Sequence, residues 1–158
     1  MMRKKEDPFE CILLNIALPG TCQILNGNYI KGILLLFLAG TINMKSNLNQ
    51  MIFLLFNGET AKIQSAADLN WLMFYPCVYF FALWDAFKDA GGGRTPYSYL
   101  PCVFPVYFTT VGIIFSDKFN LLGIPGIVWG PVICFVPGLL LGLAAKVMLV
   151  KRLQVSSG

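Results

Sequence analysis

The 158-residue sequence holds no histidine. That absence removes the commonest general base and the imidazole metal ligand. Charge is scarce as well: Asp, Glu, Lys and Arg make up 13% of the chain, against about 25% in soluble domains. The net charge of +4 is dispersed, and the only dense basic groups are Arg3-Lys4-Lys5 and Lys151-Arg152. A nucleic-acid footprint needs a clustered basic face, so no nucleic-acid partner is expected. The five cysteines, Cys11, Cys22, Cys77, Cys102 and Cys134, include no CxxC pair and sit in apolar surroundings. They read as small apolar packers rather than a disulfide framework or a metal site. No G-x-S-x-G or HExxH motif occurs, and no carboxylate pair has catalytic spacing. The expectation is a protein that is not an enzyme and carries no metal and no cofactor.

What the chain does have is long apolar runs. Apolar residues reach 56% and the mean hydropathy is +0.66. Their clustering indicates burial in lipid rather than around a soluble core. The basic opening MMRKKEDPFE is interrupted by Glu6, Asp7 and Glu10, and no A-x-A site follows, so a cleaved leader is not expected. Phe9 to Leu25 is apolar but broken by Asn15 and by Pro19-Gly20. As a helix it would rise about 25 Å, marginal for a hydrocarbon core of about 30 Å. It either spans or re-enters.

The fold class expected is an all-α integral membrane protein, one domain over 1–158. A re-entrant or short N-terminal helical hairpin comes first, with about four transmembrane helices in all. The hairpin and first span cover 9–43, and 44–70 is an extramembrane insertion carrying a small apolar element, MIFLLF. A second span covers 71–90, capped by Asp68 or Asn70, with aromatics at both ends and a kink at Pro76. Gly91-Gly92-Gly93 is a flexible link. A third span follows at 97–116. The fourth, 121–150, comes after the polar turn DKFN, with Lys146 able to snorkel. In it Gly126, Gly130, Cys134, Gly138 and Gly142 recur every four residues, a stripe that lets another helix approach closely. Whether that helix belongs to this chain or another stays open.

Lys/Arg bias separates the topologies. If 9–25 spans, the two sides carry six basic residues each. If it enters and leaves on one face, that face carries Arg3, Lys4, Lys5, Lys31, Lys88, Arg94, Lys146, Lys151 and Arg152, nine against Lys45, Lys62 and Lys118. The second distribution alone orients the chain, with both termini cytoplasmic.

LPGTCQILNGNYIKGILLL resembles the PG-x-GQ-x-Y-x-G-x-Y-x-KG front of small bacterial membrane proteins related to the TM2 domain. Trp84-Asp85 resembles their closing W…D element. The matching positions are Pro19, Gly20, Gln23, Gly27, Tyr29, Lys31, Gly32 and Asp85. Cys22 stands where Gly is usual and Leu25 where an aromatic is usual. The resemblance covers about 12–40 and 71–90. It implies membrane architecture, in a bacterial cytoplasmic membrane, and no particular activity.

Polar groups in lipid are costly unless paired. Gln23, Asn26, Asn28 and Tyr29 form a polar hairpin that satisfies a broken helix or holds a ligand. Asp85 is the sharpest single group, with Lys31 and Lys88 as ion-pair candidates. The expected function is a non-catalytic polytopic membrane protein, an assembly or accessory subunit packing through the glycine stripe. Its partners would be the bilayer and a homo-oligomer or larger membrane complex. The alternative is a small channel or transporter component with a polar site at the hairpin.

Overall fold

The computed structural model describes residues 7–118 and 120–156. Arg3, Lys4 and Lys5, which enter the charge bias, lie outside the described residues. Among those described, all regular structure is helical. Helix α1 (Pro8–Ala17) opens on Asp7, whose carboxylate accepts the Phe9 N–H at 2.8 Å. Pro8 takes the first position, where its missing N–H costs nothing. The helix stops at Leu18, which is extended (φ −153°, ψ 108°), as the residue before a proline tends to be.

Gly20 then adopts φ 99° and starts the five-residue α2 (Thr21–Leu25). Its conformation suits glycine, and so does its packing, because a Cβ there would overlap the Gly32 carbonyl oxygen. Gly27, at φ 89°, turns the chain into α3 (Tyr29–Lys45). The Pro-Gly break and the Gly32 position in the sequence are thus two sides of one backbone contact.

After α3 come α4 (Leu48–Phe56), α5 (Thr60–Ala66), α6 (Leu69–Leu72) and α7 (Phe74–Asp89). Then follow α8 (Leu100–Ile114), a 3₁₀ turn at Ser116–Lys118 and α9 (Gly126–Ser156). Asp68 caps α6, accepting from the N–H groups of Asn70 and Trp71. Before Pro76 the structure shows a break in helical hydrogen bonding at Met73, between α6 and α7, and the sharp bend of 81° lies earlier, between Thr60–Ala66 and Leu69–Asp89. Pro76 has no N–H for the Leu72 carbonyl four residues back.

Helix α1 runs antiparallel to α7. Cys11 packs with Ala86 and Ala90, Asn15 reaches the Ala82 carbonyl, and the Tyr79 hydroxyl donates to the Ile16 carbonyl at 2.5 Å. That last bond serves one of the carbonyls α1 leaves without a helical partner. Helix α2 then returns the chain to Asp89, which Asn28 contacts. The hairpin therefore enters and leaves at one end of the bundle. Its depth along α7, from Asp89 to Tyr79, is about 15 Å at 1.5 Å per residue, half of a hydrocarbon core.

The longer helices alternate in direction. Asp68 N–H meets the Ser46 carbonyl at one end, while Lys31 meets Asp85 at the other. Trp84 stacks edge-on against Tyr99, and α9 lies antiparallel on α8. The hairpin end therefore carries Lys31, Lys88, Arg94, Lys146, Lys151 and Arg152, and the far end Lys45, Lys62 and Lys118.

The 44–70 insertion packs onto the bundle: Met51, Leu54 and Ile63 from it are buried with Leu72, Ile113 and Ile127 in one core, so its helices cap the far end of α8 and α9. One expectation differs from what is observed, because the four spans are not seen as four long helices. Among the described residues one helix, Gly126–Val155, is long and apolar enough to cross a bilayer. A second candidate exists only if Thr60–Ala66 and Leu69–Asp89, bent by 81°, count as a single broken span. The third expected span shortens to the 15 residues of α8. Tyr97 takes φ 59°, and the chain turns at Phe115.

Candidate functional site

The polar positions gather where the hairpin meets α7. Asn15 and Gln23 are both fully buried. The Asn15 amide donates to Gln23 Oε1 and to the Ala82 carbonyl, each at 2.9 Å. Asn15 Oδ1 accepts the Cys22 N–H at 3.0 Å, one of the N–H groups α2 leaves without a helical partner. Gln23 Nε2 donates to the Ala82 carbonyl at 3.0 Å and to Asp85 Oδ2 at 3.1 Å. Lys31 Nζ donates to Asp85 Oδ1 at 2.9 Å and to Asp89 Oδ2 at 3.0 Å. Asn28 reaches Asp89 Oδ2 at 2.6 Å.

The sequence-derived candidates divide accordingly. Gln23, Asn28, Lys31 and Asp85 are brought together. Asn26 points its amide at the sulfurs of Cys22 and Cys11, at 3.3 and 3.6 Å. Tyr29 opens α3 with half its surface exposed. Lys88 does not join: among the described residues it has no salt-bridge partner, and the second carboxylate on Lys31 is Asp89.

Asn15 and Asp89 are the members the sequence reading missed. A lone Asn inside an apolar helix signals an engaged polar side chain, and Asp89 stands one turn beyond Asp85 on the same face.

Cys11 and Cys22 are paired as a disulfide with Cα atoms 5.2 Å apart. This corrects the reading of all five cysteines as unpaired packers. Their 11-residue separation matches no motif. It is the antiparallel course of α1 and α2 that sets the two Cα atoms at disulfide distance. Cys77, Cys102 and Cys134 are free thiols.

Chemically the cluster is a lock. Asp85 uses both oxygens, and each buried amide nitrogen is engaged. Lys31 is 41% exposed, so its ion pairs with Asp85 and Asp89 contribute about 1 kcal/mol or less each. The greater weight lies in Asn15 and Gln23, since an unsatisfied buried polar group costs about 1–3 kcal/mol. Among the described residues no group of three metal-ligating side chains forms.

The glycine stripe is the seam between α8 and α9. Cβ atoms on Gly112 and Gly130 would each overlap the other's carbonyl oxygen. A Cβ on Gly138 would crowd Phe108 and Pro105 at 2.9 and 3.1 Å. On Gly142 it would lie 2.7 Å from the Leu100 carbonyl. Gly126 is buried, and Cys134 sits half-buried between them. The helix that approaches the stripe is therefore α8 of the same chain.

Comparison with protein-family models, with curated proteins and with solved structures finds no match.

Proposed function

We propose that the chain is a non-catalytic, polytopic membrane protein in which a re-entrant hairpin is locked to α7. One observation carries this reading. The apolar stretch of α9 has a mean hydropathy of 2.3 yet is only 11% buried within the fold. A soluble protein hides such a helix in its core, whereas here Val132, Val136, Leu140, Val147 and Met148 face outward, each more than half exposed. Ile30, Ile33, Leu34 and Phe37 do the same on α3. Apolar patches of that extent require a non-aqueous neighbour.

Shorter helices fit a membrane where partners satisfy their broken backbone. The Asn15–Gln23–Asp85 network supplies that where the hairpin meets α7. The basic end then faces the cytoplasm, and the resemblance to TM2-related bacterial proteins fits a membrane location. A disulfide persists more readily in an oxidising compartment, but both sulfurs are fully buried and sheltered from soluble reductants. Because α8 covers the glycine stripe, an accessory role would use another surface. The channel reading draws on the hairpin's polar side chains, which are occupied with one another.

Sucrose-gradient flotation and alkaline carbonate extraction test the proposal. The expected result is a protein that floats with membranes and resists carbonate but yields to detergent. Release by carbonate into the soluble fraction would contradict it.

A further inference from the structure

We propose that the cavity between α1, α7, α8 and α9 is a site for one anionic phospholipid, with Lys146 holding its headgroup. The inference rests on the membrane reading above. The cavity encloses about 350 Å³, within the range of small-molecule sites. Ile16, Leu83, Trp84, Phe135 and Leu139 line its walls, and Lys146 is the one charged group on them. The salt bridges among the described residues do not include Lys146.

Position along α9 explains the chemistry. Lys146 stands one turn beyond Gly142, which abuts the start of α8, so it lies at the hairpin end of the bundle. Phe135 is 11 residues earlier, about 16 Å further in. The site is thus cationic at one end and apolar along its length. A soluble anion gains nothing from the apolar walls, and a neutral lipid gains nothing from the ammonium. A phosphate headgroup with an acyl chain uses both. Lys88, Arg94, Lys151 and Arg152 raise the potential at the same end, and basic pockets between helices on the cytoplasmic side attract anionic headgroups.

Trp84, on the cavity wall, supplies the readout. The full chain is reconstituted into phosphatidylcholine vesicles carrying a small fraction of acyl-brominated phosphatidylglycerol, brominated phosphatidylcholine or brominated fatty acid. Quenching is followed in the native chain and in a variant keeping only Trp84 (Trp71→Phe, Trp129→Phe). If that variant fails to fold, the difference in quenching between the native chain and Trp84→Phe isolates the Trp84 signal. Brominated phosphatidylglycerol is expected to quench at about fivefold lower mole fraction than brominated phosphatidylcholine, the worth of one basic side chain against an anionic lipid. Lys146→Gln should erase the preference and Lys146→Arg should keep it. Equal quenching by the two phospholipids in a protein that floats with the vesicles overturns this inference alone. Equally strong quenching by the fatty acid overturns the assignment to a phospholipid. A chain that does not float overturns the membrane reading and this site with it.

Discussion

Asn15 makes three hydrogen bonds from a fully buried position, and no smaller or apolar side chain can replace them. Asn15→Leu strands the Cys22 N–H and one side of Gln23, so it should lower stability by about 2–4 kcal/mol. Lys88→Gln, beside Asp89 in sequence but outside the network, should stay within about 0.5 kcal/mol. Thermal unfolding of both variants in mild detergent checks the order, and equal losses would contradict it. The disulfide gives a count instead of an energy. Denatured, unreduced protein should take up maleimide at Cys77, Cys102 and Cys134, three thiols, rising to five after reduction. Five before reduction would show Cys11 and Cys22 to be free. At this scale the sequence marked Asp85 as needing a cation, because charges in apolar helices need partners, and left Lys31 and Lys88 both open; only the approach of α3 to α7 selects Lys31. Asn15 and the disulfide stayed hidden because both depend on how α1 and α2 face each other.

At the level of elements, glycines with opposite surroundings give opposite predictions. Gly130 lies against the Gly112 backbone, and neither can yield. Gly130→Leu should therefore cost about 3 kcal/mol, the upper range for overpacking, or prevent α8 and α9 from docking. Gly40, in the middle of α3, has nothing within 4 Å of where a Cβ would sit. Gly40→Ala should raise stability by about 0.5–1 kcal/mol through helix propensity. Unfolding midpoints measure both, and a tolerated Gly130→Leu would refute the seam. The four-residue spacing announced a packing face, since it puts small residues on one side of a helix. It did not name the partner. Gly112, isolated on α8, meets Gly130 only after the two helices are set antiparallel. Helix lengths were less legible: Tyr97 and Phe115 trim α8 through turn geometry, and apolar composition does not register that.

For the whole molecule the decisive feature is the hairpin that enters and leaves at one end. Its outline was visible in Pro19-Gly20, in the length of 9–25 and in the bias of Lys and Arg. The packing of the 44–70 region was not, because MIFLLF alone is too short to declare a core role. Only contact with Ile113 and Ile127, far away in sequence, gives it one. Single-cysteine labelling with a membrane-impermeant maleimide reads this topology. Cys77, Cys102 and Cys134 are replaced by Ala, the Cys11–Cys22 pair is retained, and Asn28→Cys, Gln50→Cys and Lys151→Cys are each probed in right-side-out and inverted vesicles. Positions 28 and 151 should label from the same face, and position 50 from the opposite one. Labelling of 28 and 151 from opposite faces would rule out a same-side hairpin, and labelling of all three positions from one face would rule out a bundle that crosses the membrane.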